Sequence, residues 1–380
     1  MPTRPLFPLP SGADLAFQQR RQEPANGMHP LSKAKLAACR AALEPHWLAG
    51  TGPVMLSYAT SVPNQWLLGL SVAKHGLPLV LVGLNQPRWP WWQGGRKKLP
   101  GSRRALQVIH ELSPNRPVIF SDTGDLLIGN KLLASHYDAL AGIATSRRLL
   151  IAAECNSWPV CYKDSYAKHP EYQDCLASHS ACFPNSGVMV ASTSTMLAFM
   201  DQWARTIVDS LHLGKAERWN DQAAVHRLYQ NRSRYAAGRN AFDLRVDADN
   251  MFSLQLWKCE GSLAKASGKH YKYCHEKPFD PVSTLSARSG GDAVTFIDER
   301  GFKQQPFLVH SNGHHYVLKR ESSNLHPLLE RYEEPNIDPA LYEHKVILID
   351  SFDHGDCNVT TLGWMLNATR FPSGAPSSQS

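Results

Sequence analysis

Two carboxylates stand three positions apart at the end of an apolar run, Val118 to Asp125 (VIFSDTGD). Asp122 and Asp125 repel one another at the carboxyl end of a strand unless a proton or a divalent cation offsets them. Such a pair suits Mn²⁺ or Mg²⁺ held by carboxylates and completed by the phosphates of a substrate. A turn, with Asp122 as a helix cap, is the competing reading. A second apolar run, Pro306 to Gly313 (PFLVHSNG), ends in His310, which could supply a nitrogen ligand. Asn312 and Gly313 could turn the backbone toward a phosphate. A lone histidine at a strand end is more often structural, and only two aspartates on a neighbouring strand reverse that expectation. Asn185-Ser186-Gly187 opens an apolar run and could hold sugar hydroxyls or simply shape a bend. Asn220-Asp221-Gln222 reads as a helix N-cap with an acid in the first turn, or as a carboxylate at a sugar site.

Other chemistries lack their residues. The sequence has no G-x-x-x-x-G-K-[ST] loop, no G-x-G-x-x-G after its first apolar run and no G-x-S-x-G elbow. These absences argue against P-loop NTPases, dinucleotide-binding Rossmann enzymes and α/β-hydrolases. His354-Gly355-Asp356 has the H-x-D form that begins an iron-binding facial triad, but no histidine follows it, so a polar loop is the simpler reading.

The elements that must position these residues alternate. Strands are expected at Val54–Ala59, Leu79–Gly83, Val118–Ser121, Leu149–Ala153, Gly187–Ala191, Leu254–Lys258, Pro306–His310 and Val346–Asp350. Helices are expected at Leu31–Ala42, Gln65–His75, Ser102–Leu112, Lys131–Ala144, Ser194–Leu211, Asp221–Tyr229 and Leu325–Tyr332. Short apolar strands between helices predict an α/β fold, a doubly wound and mostly parallel sheet covered on both faces. Ligands of such sheets sit outside the carboxyl ends of the strands. A Pro-rich arm is expected over 1–48, the main domain over 49–335 with a polar insertion near 261–303, and an extension with a disordered tail over 336–380.

The 380 residues carry 40 basic and 33 acidic side chains, a net charge of +7, which by itself does not imply nucleic acid. The cations are uneven: Arg88 to Arg104 (RWPWWQGGRKKLPGSRR) holds six, with three tryptophans and no acid. A local cationic, aromatic stretch favours a phosphorylated ligand over a polyanion surface. No apolar run approaches the length of a transmembrane helix, and the opening residues show no apolar core of signal-peptide length. Of eight cysteines, four lie within Cys155–Cys182, with no C-x-x-C pair, which favours local disulfides over reduced core thiols or zinc. Sequons at Asn231, Asn358 and Asn367 point the same way, toward the secretory pathway, in the endoplasmic reticulum or Golgi lumen.

The ordered set of these motifs resembles the glycosyltransferase domain of the procollagen lysyl hydroxylases and related collagen glycosyltransferases, from about Val54 to about Tyr332. The set comprises Ala59-Thr60, Gly94 to Lys97 or Lys98, Phe120 to Asp125, Ala153-Glu154, Trp158-Pro159, Asn185 to Gly187, Asp221-Gln222 and His310 to Gly313. The resemblance implies a GT-A fold and a hexosyltransferase that uses Mn²⁺ and a UDP-sugar, UDP-glucose or UDP-galactose. It implies Asp122, Asp125 and His310 as metal ligands, Thr60 near the uridine, Lys97 or Lys98 near the diphosphate, and Asn312 and Gly313 closing on the phosphates. Asn185 and Asp221 would face the sugar and a hydroxyl acceptor, either a hydroxylysine-linked glycan or another hydroxylated protein. The chain departs from the family in several places. Thr123 and Gly124 replace an aromatic residue between the metal aspartates, a place that Trp89, Trp91 or Trp92 could take. Asn185-Ser186-Gly187-Val188-Met189 replaces NSGGF, and the acidic run before Gln222 is reduced to Asn220-Asp221. These departures motivate an alternative, a nucleotide-sugar-binding module with weakened catalysis.

Overall fold

The computed structural model describes residues 30–47, 52–59, 66–84, 95–123, 126–159, 162–210, 213, 217, 220–238, 241–256, 259–260, 274–275, 278–279, 284–287, 294–311, 346–350 and 357–361. Its centre is an eight-stranded sheet. The strands used below are β1 (Val54–Tyr58), β2 (Leu79–Leu84), β3 (Pro117–Ser121), β4 (Leu126–Ile128), β5 (Arg148–Glu154), β6 (Phe183–Ser192), β7 (Asp243–Asp247), β8 (Ser253–Gln255), β9 (Val294–Ile297), β10 (Leu308–His310), β11 (Val346–Asp350) and β12 (Asn358–Thr361). The helices are α1 (Lys33–Leu43), α2 (Trp66–Lys74), α3 (Gly95–Leu112), α4 (Ala134–Thr145), α5 (Pro170–Ser178), α6 (Thr193–Asp209) and α7 (Asp221–Gln230).

The large sheet runs β12-β11-β2-β1-β3-β6-β5-β7. Strands β11, β2, β1 and β3 are mutually parallel, with Leu56 opposite Val80 and Phe120. Strand β6 lies antiparallel between β3 and β5, β7 is parallel to β5, and β12 is antiparallel to β11. The α/β class is therefore as expected, while the sheet is mixed and less uniformly parallel than the apolar runs suggest. A strand buried along its whole length, as β6 is, reads as a continuous apolar run in either direction.

Alternation along each strand builds two cores. Leu56, Val82, Phe120, Ile151 and Met189 pack with Leu106, Phe199, Trp203 and Leu228 of α3, α6 and α7. Met55, Leu81, Ile119 and Val190 pack with Leu68 and Val72 of α2 and with Leu140 of α4. This second core also takes in a small sheet ordered β4-β10-β8. Asn130, just after β4, ties this region to β9 and to the approach to β10, donating to the Val294 and Pro306 carbonyls at 2.8 and 2.5 Å.

Two disulfides are described. Cys175–Cys182 is local, as the cysteine cluster suggests, whereas Cys39–Cys357 ties α1 to the residue before β12 across 318 positions. Cys155 is disulfide-bonded as well. Structural disulfides are commonest in oxidising compartments. Among the described residues no helix is long and apolar enough to cross a membrane. The helix expected at Leu325–Tyr332 and the His354–Asp356 loop lie outside the described residues.

Candidate functional site

The carboxyl ends of β1, β2 and β3 share one edge of the sheet, and the antiparallel β6 brings Asn185–Gly187 to that same edge. Strand β3 ends at Ser121, whose carbonyl accepts the Ser57 hydroxyl at 2.8 Å. Asp122 follows, and its N–H donates to the Gly187 carbonyl at 2.7 Å. Thr123 donates its hydroxyl to the Tyr58 carbonyl at 3.0 Å, fixing the loop to the end of β1. No helix follows Asp122; the chain enters β4 instead, so the helix-cap reading of Asp122 does not hold.

At Gly187 the pairing of β6 with β5 breaks. Ile151 pairs with Met189 and the next residue, Ala152, with Asn185, so Ser186–Val188 bulge out of the ladder. Bulges re-aim a strand beside functional sites. Asn185-Ser186-Gly187 thus lies inside a strand that begins at Phe183, not at its opening. The Asn185 carboxamide oxygen accepts the Gly187 N–H at 2.7 Å and braces the bulge. The His310 ring fills the space beside it: a Cβ on Gly187 would stand 2.2 Å from His310 Cε1. Glycine is required there by close approach, not by φ. His310 is buried and pairs with Leu126 across the small sheet, immediately after the Asp122–Asp125 loop. The fold thus brings Asp122 and His310, 188 positions apart in the chain, onto the same glycine. Asp125, Thr60, Asn312 and Gly313 lie outside the described residues, as do Trp89, Trp91 and Trp92. Among the described residues no three His, Cys, Asp or Glu side chains form a ready ligand set.

Lysine completes the other side. The expected helix start at Ser102 is too late: α3 begins at Gly95, so Lys97 and Lys98 are helical. Pro100, which removes an interior N–H donor, made the first turn illegible. Lys98 is 5% exposed, and its ammonium contacts the Asp122 carboxylate and, at 3.1 Å, Asp221 Oδ2. It also sits 5.3 Å from the centre of the Phe120 ring and 5.9 Å from that of Trp203. Burial by itself would weaken the hold of Lys98 on its proton. The two carboxylates outweigh that effect and raise its pKa above the ordinary lysine value.

Asp221 is the first residue of α7, where the helix dipole favours negative charge. Asn220 caps that helix, its side chain accepting the Ala223 N–H at 2.8 Å. Both oxygens of Asp221 are engaged, Oδ1 by the Gln222 N–H at 3.0 Å and Oδ2 by Lys98. Trp203 donates its indole N–H to the Asp221 carbonyl at 3.0 Å.

Beneath this charged group lies a polar layer to which the motifs gave no role. Gln222 accepts the Ser186 N–H and donates to Glu154 Oε1 at 2.8 Å and to the Pro184 carbonyl at 2.7 Å. Glu154 Oε2 accepts from Asn156 at 3.2 Å. One turn further along α7, the His226 ring meets the Tyr166 hydroxyl at 2.7 Å. Burial pushes the His226 pKa down to about 3, against a hydrogen bond to the Trp158 backbone that favours the charged form. The signal for this layer was present: a carboxylate ending the apolar Leu149–Ala153 run must find buried partners.

Comparison of the chain with protein-family models and with curated proteins finds no match.

Proposed function

We propose that the protein is a metal-dependent glycosyltransferase of GT-A type, moving a hexose from a UDP-sugar to a hydroxyl acceptor in the lumen of the secretory pathway. The observation that carries this reading is at the carboxyl edge of the sheet, where Lys98 bridges Asp122 and Asp221 and where Asp122 and His310 each adjoin Gly187. These four come from four separate segments, and each belongs to a motif of the resemblance to the collagen glycosyltransferases. The two disulfides support the compartment.

The donor set fits the metal that the resemblance implies. One carboxylate and one imidazole, with Asp125 next in the chain to the partner of His310, offer oxygen and nitrogen ligands suited to Mn²⁺ or Mg²⁺. When bound, such a cation supplies Lewis-acid stabilisation of the negative charge that gathers on the departing UDP. The remaining work falls to the chain itself. Lys98 carries its positive charge on a helical frame and, among the described residues, is a cation placed to meet diphosphate oxygens. Asp221, with both oxygens engaged, acts as a fixed negative charge facing the sugar and acceptor rather than as a free proton acceptor. The Asn185-braced bulge keeps Gly187 and the Asp122 amide in one geometry.

The test is hydrolysis of UDP-glucose and UDP-galactose with and without Mn²⁺, repeated with Asp122→Ala. Turnover should be lost to chelator and fall on the order of a hundredfold or more in the variant, as removal of a preorganised electrostatic group does. Turnover indifferent to both would sink the reading. Metal-dependent UDP binding without turnover on any acceptor or water would mark the binding-module alternative.

A further inference from the structure

We infer that Lys98 is an internal counterion for the site: its ammonium neutralises Asp122 and Asp221 before ligands arrive and moves to the donor's diphosphate when they do. It thereby couples metal binding to nucleotide binding. The inference rests on the transferase reading above and assigns Lys98 a positioning role that the resemblance alone does not contain.

The geometry is that of a bridge. Lys98 projects from the first turn of α3, Asp122 follows β3, and Asp221 opens α7. One ammonium contacts both carboxylates, on a floor formed by Phe120 and Trp203. The lysine side chain is 7% exposed, against 37% for Asp122 and 16% for Asp221. Asp122 is therefore the arm of the bridge that solvent reaches, and the arm at which an incoming cation would compete. Two carboxylates held this close without a cation would repel strongly, so the ammonium holds them together before a ligand binds.

The same contact opposes the metal. A divalent ion approaching Asp122 meets a positive charge already on that carboxylate. Binding of the ion alone therefore includes the cost of weakening the Lys98–Asp122 contact. A diphosphate removes this cost, because its oxyanions offer the ammonium a new partner of the same sign as the one it leaves. Each ligand thus favours the other, and by linkage the factor is the same in both directions. The aromatic floor gives the ammonium a surface along which to shift while remaining out of water.

The experiment measures Mn²⁺ affinity, by electron paramagnetic resonance of the free ion, with and without saturating UDP. The ratio of the two dissociation constants is the coupling factor. In Lys98→Met, Mn²⁺ alone should bind about tenfold more tightly than in the unaltered protein, and the coupling factor should fall by about tenfold. Asp221→Asn tests the bridge from its other end and removes no positive charge. It leaves the ammonium to Asp122 alone, so Mn²⁺ binding should weaken more without UDP than with it, and the coupling factor should rise. A coupling factor unchanged in both variants overturns the counterion role while leaving the transferase reading intact. Failure of the unaltered protein to bind either Mn²⁺ or UDP overturns both. If Lys98→Met does not fold, as circular dichroism would show, the Asp221→Asn ratio decides.

Discussion

Asp221 and Gln222 are neighbours in the chain and face two unlike environments. Asp221 looks outward to a charged cluster, Asp122–Lys98–Asp221, in which one carboxylate remains more than a third exposed. Gln222 looks inward to Glu154, Ser186 and Pro184, all buried or in the strand core. The outer cluster is built of full charges that can change partners. The inner layer is built of hydrogen bonds whose partners have no alternative, because water cannot reach them. The difference teaches how a polar site is held in an α/β fold: the layer that could act on a ligand is made of charges near solvent, and the layer beneath it is fixed by buried hydrogen bonds centred on Gln222.

This contrast can be broken at its seam. Gly187 belongs to both layers, its carbonyl holding Asp122 and its N–H held by Asn185. In Gly187→Ala the new methyl would collide with the His310 ring, 2.2 Å from its Cε1. Displacement of about an ångström at a reacting geometry costs on the order of a hundredfold, so UDP-sugar turnover should fall by that much. Unfolding free energy should fall by only about 1–3 kcal/mol, the usual cost of overpacking. A variant with full turnover would show that His310 has no part in the site.

The inner layer should respond in the opposite proportion. Gln222→Ala removes the partner of Glu154 Oε1 and the acceptor of the Ser186 N–H, and should cost about 2–4 kcal/mol in urea unfolding. An unaltered midpoint would mean that the layer is not what holds the bulge. A smaller and graded effect is expected with acid. His226 is neutral when folded, with its pKa pushed down to about 3, and accepts a proton near 6.5 when unfolded. Between those values the unfolded state binds more protons, so stability falls as pH falls, by up to about 1.4 kcal/mol per pH unit. Melting curves from pH 7 to pH 5 should show a shallower decline in His226→Asn than in the unaltered protein. Equal slopes would remove His226 from the account of acid sensitivity.

Much of the frame was legible because it follows from local pattern. Strands β1, β2, β3, β5 and β11 coincide with apolar runs, and Asn220 before Asp221 is a helix start by its chemistry. Other elements were hidden for physical reasons. Strand β7, DLRVD, is an edge strand whose charged residues read as loop. Helix α5 opens on Pro170 and gives little apolar stripe. The direction of β6 leaves no trace in a strand buried throughout.

The order of the motifs, the apolar strands and the acids at their ends are properties of the chain read in one dimension, since local conformation and burial set them. Tertiary structure alone decided which charges meet. Lys98, Asp122 and Asp221 span 123 positions, and the disulfide from Cys39 closes on Cys357 across 318. Contacts of that range depend on how the strands are ordered and on where the bulge at Gly187 turns the backbone. Those are consequences of packing two cores against one sheet, and no local run of residues encodes them.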